Sequence, residues 1–566
     1  MKLVKSLLLG SAAGLAAVAG AQAADLPMRK AAPVEYVRVC SAHGVGFFYI
    51  PGTETCLRVS GFARFEYNVA SSRGWAQDNT GFRSIGRLNL DARTQTAYGT
   101  LRSFVRFDMA RRTGHFFSGT AQRRGEAEIA TGVDFAGKAQ TQITLDKAFI
   151  QFAGITAGRA TSFFDFYSND LTWFGITGSD RGATNLLAYT ATFGGGWSAT
   201  IAMEDPQERR WPIIGLDAAG NPTLATVVAG AGAVGGSVIP GLGGPLGGPF
   251  NVGLQQKNSM PDIVANVRVD QTWGSFQLSG AIHQISVVGT TNTLTGVPTI
   301  IPGVVNPITG IAGPPTVIQN TVTVGTQGFR PDTEYGFALQ AGAKINLPWI
   351  APGDLLYLQA AYARGALDYT ISGNWVFGGA TGAQGGFGGT LGRFAVNTVD
   401  GIVDQFGETR LSRSWSVLAA FLHYWTPQLR SGFAVGYSNV EYPNANTLFI
   451  GGVIPGTVLN PAPGAPPFAF GSAAQTFATT ATLRDFRLLN LAANLIWSPV
   501  RDLDIGVEVA YDRINVSGRV VDLNKCGNVA VFPAGFFGVG TPAQVCGYTT
   551  SHEDEWRGRL RVHRNF

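Results

Sequence analysis

Charge is what this 566-residue chain has least of. Lysine, arginine, aspartate and glutamate together make up 14% of it, against about 25% in an ordinary soluble domain, so a soluble multidomain enzyme fits poorly. The six histidines are scattered, with no His-Glu-x-x-His, and Gly-x-Ser-x-Gly is missing. Zinc-dependent and serine hydrolysis therefore lose their usual motifs. Gly132 to Lys138 has the spacing of a phosphate-binding loop, but Ala139 stands where a magnesium-binding hydroxyl is needed. No enzyme activity, cofactor or metal site is expected. The net charge is only +5, with both signs interleaved, so no nucleic-acid partner is expected. Long apolar runs are lacking too: residues 218–256 are uncharged but broken by glycine and proline, which would interrupt a membrane helix. Yet 45% of residues are hydrophobic and the mean hydropathy is +0.11, too apolar for a disordered chain. The 75 glycines follow no three-residue period, which excludes a collagen-like helix.

What is present begins with an export signal. Lys2 and Lys5 precede an apolar stretch from Leu7 to Ala19 and then Ala21-Gln22-Ala23, the pattern of a signal peptide over 1–23 cut before Ala24. A membrane anchor is the alternative, but the stretch is short and rich in small residues. The four cysteines form two local pairs, Cys40 with Cys56 and Cys526 with Cys546. In an exported chain these read as two disulfides; reduced structural thiols are the alternative, and the spacing does not suit zinc.

The dominant pattern is alternation of apolar with polar or small residues, the period of a strand with one apolar face. It marks sixteen segments: 57–67, 85–92, 99–109, 143–153, 155–161, 183–192, 197–204, 261–272, 275–285, 334–346, 355–364, 414–424, 430–440, 485–497, 503–513 and 556–566. Segments 143–153, 414–424 and 485–497 alternate poorly. Connections alternate in length: the long ones are 68–84, 110–142, 162–182, 205–260, 286–333, 365–413, 441–484 and 514–555. An even number of such strands with short turns at one end predicts a sixteen-stranded antiparallel transmembrane β-barrel, its short turns periplasmic and its long loops external. Tyr98, Trp197, Trp273, Trp349, Trp425 and Trp497 fall at or near the short turns, an aromatic belt at one interface. A secreted sandwich or propeller would also alternate but would not explain the two loop lengths. The uncharged external loops read as folded on one another or on a neighbouring subunit, or as disordered.

The stretch Glu35-Tyr36-Val37-Arg38-Val39-Cys40, with Gly46-Phe47-Phe48-Tyr49-Ile50-Pro51-Gly52-Thr53-Glu54-Thr55-Cys56-Leu57-Arg58-Val59, resembles the start of alphaproteobacterial general porins of the Rhizobiales type. The leader, Ala148-Phe149-Ile150-Gln151-Phe152-Ala153-Gly154 and the terminal Arg564-Asn565-Phe566 resemble that family as well. The resemblance implies an outer-membrane, homotrimeric diffusion channel for small hydrophilic solutes, in contact with lipid and lipopolysaccharide. It implies an N-terminal periplasmic segment 24–56, a barrel over 57–566, and Phe566 as a signal to the barrel-insertion machinery. Loops 205–260, 286–333 and 441–484 are longer than usual for it. Rival readings are a substrate-selective pore with a sugar-type aromatic slide, and a surface adhesin with a plugged lumen.

Strand parity names the lumen. The apolar face meets lipid, so Arg58, Arg64, Arg87, Arg102, Arg106, Arg557, Arg559 and Arg561 point inward and form a basic wall. In general porins the loop after strand five enters the lumen. Here that loop, 162–182, carries Asp165, Asp170 and Asp180 with Phe163, Phe164, Phe166, Tyr167 and Trp173. Packed by its rings against the wall, it would set its carboxylates opposite the arginines across water, making a transverse field. Ordinary solvated charges in a wide lumen are the alternative.

Overall fold

The computed structural model describes residues 38–71, 79–113, 140–167, 170–180, 182–211, 213–216, 222–223, 250–295, 299–301, 316–318, 323–329, 332–371, 398–403, 408–443, 485–521 and 549–566. The signal segment 1–23, Cys526 and Cys546 lie outside them. The chain divides into a small unit ending at Arg58 and a large one from Val59 to Phe566. In the small unit Cys40 and Cys56 are joined by a disulfide, with Cα atoms 6.0 Å apart. They share a core with Phe47, and the Arg58 guanidinium lies 5.4 Å from the Phe47 ring centroid.

Sixteen strands form a closed antiparallel barrel. They are β1 Thr55–Ala70, β2 Thr80–Thr96, β3 Gly99–Arg112, β4 Gln140–Phe152, β5 Ile155–Ala160, β6 Thr184–Gly194, β7 Trp197–Glu204, β8 Asp262–Gln271, β9 Gly274–Ile285, β10 Glu334–Asn346, β11 Leu355–Arg364, β12 Arg413–Thr426, β13 Leu429–Glu441, β14 Phe486–Val500, β15 Leu503–Val521 and β16 Thr549–Asn565. Each pairs with its neighbour in sequence, and β16 closes on β1. At that seam Phe566 and Gly61 exchange two backbone hydrogen bonds of 3.0 Å. Every strand expected from alternation is present. The physical reason is visible in β10, where Tyr335, Phe337 and Leu339 are exposed while Ala338 and Gln340 are buried inside. Apolar side chains face outward because the surrounding solvent is hydrocarbon. The turns suit the strand twist: Ala153 and Gly154 both have positive φ, 48° and 85°, as a two-residue primed turn requires. The belt residues Tyr98, Trp197, Trp273, Trp349, Trp425 and Trp497 are all exposed.

Two details are informative. Segment 286–333 reads in sequence as a connection folded on another loop or a neighbouring subunit, or as disordered; in the structure Val287–Thr295 pairs with Thr323–Phe329, and Phe250–Gln256 of the preceding long connection joins them, so these two connections fold on one another. The run Val287-Val288-Gly289-Thr290-Thr291-Asn292-Thr293-Leu294-Thr295 is rich in β-branched residues, which favour strands without showing an apolar alternation. In β4 the alternation fails for a local reason. Its register with β3 shifts between Arg106 and Phe107, so Lys147 and Leu145 are the partners and Asp146 is an extra residue. That bulge moves every later side chain to the other face.

Candidate functional site

The inner wall has two different halves. On β6 to β15 many inward positions are alanine or glycine, and the segment 162–180 lies on them. Phe164 packs with Ala188, Ala202, Val264, Ala281, Ala338 and Tyr369, and Tyr167, Phe174 and Ile176 with Leu418, Ala420, Ala434, Ala492 and Ala510. Each ring buried this way contributes roughly 1.5–3 kcal/mol. Glycines let the loop backbone come close. A Cβ on Gly432 would stand 2.3 Å from the Leu171 carbonyl oxygen, and one on Gly342 would stand 2.3 Å from the Phe166 ring.

Wall side chains satisfy the loop's backbone, as burial demands. Gln340 donates to the Phe164 carbonyl at 2.7 Å, Gln359 accepts from the Tyr167 amide at 3.0 Å, and Asn490 accepts from the Thr177 amide at 3.1 Å. Arg559 donates to the Trp173 carbonyl at 3.0 Å. The guanidinium of Arg561 lies 4.3 Å from the Trp173 ring centroid, and those of Arg557 and Arg559 lie 4.4 and 4.2 Å from that of Phe174. These three arginines thus hold the loop.

The opposite half, β1 to β4, is the arginine wall, and it differs from the sequence expectation in one important respect. Its cations are paired within the wall. Arg87 makes two hydrogen bonds of 2.6 Å to Asp108, Arg102 binds Asp91 at 2.9 and 3.0 Å, and Arg106 binds Asp146 at 3.3 Å. Glu66 binds Arg83 at 3.3 Å and, across the seam, Arg561 of β16 at 2.7 Å; beside the wall, Arg557 of β16 is paired with buried Asp512 of β15. Arg64 donates to His563 at 3.0 Å. Inward phenyl rings separate the guanidinium groups: Phe62 between Arg64 and Arg87, Phe104 between Arg102 and Arg106. Such stacking holds long side chains in fixed positions. Cross-strand register brings these groups together, which parity alone does not reveal.

Asp165 is a correction. It does not face the arginine wall across water; it is buried and accepts from Arg209 Nη2 at 2.7 Å. Arg209 also lies 3.5 Å from Asp368 and stacks on Tyr369 at 4.4 Å. Tyr369 donates to Asp262 at 2.7 Å, and Asp262 lies 2.8 Å from His283. A buried chain of charges thus links the start of the inner loop to segments 206–211 and 367–371. Asp400 belongs to it, accepting from the Trp211 amide at 2.6 Å and the Leu367 amide at 2.8 Å. Burial raises the Asp400 carboxyl to about 6, against the pull of His283 and the two amides.

Asp170 is exposed, and Asp180 is half-buried. Although its surface is open, the protein surrounding Asp170 partly desolvates its carboxyl and raises it, with Lys344 and then Lys147 drawing it back down. Sequence reasoning missed Lys147, Asp146, Glu508 and Arg209. Of these, Glu508 had a signal: it was on the inward parity of β15 beside Gly506.

Comparison with known proteins adds the lineage. A family described as "Porin subfamily" matches residues 25–530. Porin Omp2b of Brucella canis is 37% identical over 209 residues, 36% of this chain and 54% of that protein. Porin Omp2a of Brucella ovis is 36% identical over 213 residues, 36% of this chain and 60% of that protein. The chain therefore spans between about half and 60% of the length of the curated relatives it matches. Among solved structures, the outer membrane channel DcaP of Acinetobacter baumannii aligns over 92% of this chain and 99% of its own, with TM-score 0.45 and 12% identity. An anion-selective porin from Comamonas acidovorans aligns over 91% of this chain and all of its own, with TM-score 0.37 and 8% identity.

Proposed function

Since the chain belongs to the porin subfamily, we propose that it forms a passive, water-filled channel in a bacterial outer membrane, through which small hydrophilic solutes and ions diffuse. The observation that carries this is the asymmetric lumen. A loop is laid on an alanine and glycine seat on one half of the inner wall, while the other half, β1 to β4, carries inward charges, and charged linings are what aqueous pores use. Membership of this family points to a channel rather than an enzyme. Of the loop's aromatic residues, Phe164, Tyr167 and Phe174 are buried, which speaks against a slide of exposed rings for sugars.

The remaining parts of the reading are that residues 1–23 direct export and are removed, that 24–56 is a periplasmic segment, and that 57–566 is the barrel. Three copies assemble through apolar outer faces, embedded among lipid and lipopolysaccharide after delivery by the insertion machinery with Phe566 as its signal. Single-channel recording of the purified protein in a planar bilayer tests the channel directly: stable unit currents are expected, and an intact barrel without current would overturn it. Light scattering of the unheated protein in mild detergent should give the mass of a trimer.

A further inference from the structure

The inner loop leaves the wall after β5, which pairs with β4, and returns at β6, which pairs with β5. The bulge in β4 places two consecutive residues, Asp146 and Lys147, on the lumen side. Asp146 turns to the arginine wall, 3.3 Å from Arg106 and 3.7 Å from Arg87. Lys147 turns to the loop: its Nζ donates to Thr161 Oγ1, at the outgoing root, at 2.5 Å. The charges that act on it are those of Arg106, Asp146, Arg87 and, on the returning root, Asp180. Asp170, the loop's exposed carboxylate, in turn feels Lys344 and, after it, Lys147. Meanwhile Arg87, Arg102 and Arg106 have carboxylate partners on their own wall, and Asp165 is held by Arg209.

Resting on the channel reading above, we propose that Lys147 is the selectivity-determining cation of the constriction and the clamp that holds the loop's roots to the wall. Lys147 and Lys344 both act on the loop's Asp170, and Lys147 is the one whose Nζ is bonded to the loop's outgoing root, where low-dielectric walls focus its field on a passing ion. Its bond to Thr161 and its attraction to Asp180 together fix the separation between loop and wall.

The test uses the purified full-length protein in planar bilayers under a low-salt gradient, with Lys147→Gln, Lys147→Arg, Thr161→Val and Arg93→Gln. Arg93 is a charge-matched control, paired with Asp91 near the short turns. In Lys147→Gln the anion-to-cation permeability ratio should fall by roughly two- to fourfold, the effect of one charge a few ångströms from the path. Lys147→Arg should keep the wild-type ratio, and Arg93→Gln should move it by less than half as much. Thr161→Val should leave the ratio unchanged and raise open-channel current noise. Equal shifts in Lys147→Gln and Arg93→Gln would mean that total lumen charge governs selectivity, which overturns the assignment. An unchanged ratio in a conducting Lys147→Gln channel overturns it as well, and quiet currents in Thr161→Val overturn the clamp. A wild-type protein that carries no current defeats the channel reading and this proposal together.

Discussion

Glu508, buried on the inner face of β15, accepts the backbone amide of Trp173 with both carboxylate oxygens, at 2.7 and 2.8 Å. The amide of Phe174 donates to the same group at 2.5 Å. One wall side chain therefore satisfies two consecutive donors of the inner loop more than three hundred residues away in sequence.

Removing that acceptor should loosen the far end of the loop. Glu508→Ala leaves two amides without their partner, at a cost of about 1–3 kcal/mol for each buried group. Single-channel traces of this variant should show increased open-state noise and a changed mean conductance, while Glu508→Gln, which keeps one acceptor oxygen, should lie between it and the wild type. Wild-type traces from Glu508→Ala would show that the loop is held without this contact.

The glycine seat makes a second prediction. Gly432→Ala puts a methyl group 2.3 Å from the Leu171 carbonyl oxygen, so loop backbone must move. Overpacking of this kind costs about 1–3 kcal/mol, and the variant should lose thermal stability and alter conductance. Gly280→Ala, whose methyl group would meet Leu339 at an ordinary 3.6 Å, should behave as wild type in both assays.

Asp400 titrates near 6, above its ordinary 3.8. Between those values the native cluster keeps a proton that an opened cluster has released, so its stability falls as pH rises from 3.8 to about 6 and stays low above. The groups acting on Asp400 are His283, Asp368, Arg210 and Tyr442. Hydrogen exchange at the Trp211 and Leu367 amides, corrected for intrinsic rates, should therefore show protection declining across that window. In Asp400→Asn the decline should vanish; a decline of the same size in the variant would assign the titration to another group.

The cysteine pairs give a fourth prediction. Cys40–Cys56 closes a 16-residue separation in the N-terminal unit, and Cys526 should pair with Cys546 in the connection between β15 and β16. Mass mapping of non-reduced peptides should find these two links alone. A peptide joining Cys40 to Cys526 or Cys546 would contradict the proposed topology, which puts the two expected pairs on opposite sides of the membrane.

Strand number, pairing order and the inside or outside assignment of residues such as Tyr335, Ala338 and Gln340 were legible in the sequence by itself. Alternation has a period of two, and the solvent outside the barrel is apolar along its whole circumference, so every strand carries the same message. The same alternation broke at Asp146 and Lys147, where a bulge adds one residue to β4; no local pattern announces which residue is extra. Only the tertiary structure decided how charges are partnered. Arg102 with Asp91 and Arg561 with Glu66 are joined across strands, and Asp165 with Arg209 between two connections. Such pairings depend on register and on the path of the inner loop, since a few ångströms separate a bound counter-charge from one facing open water. Sequence could place Asp165, Asp170 and Asp180 on one loop. Folding that loop onto the wall is what buried the first beside Arg209 and set the other two within the field of Lys147.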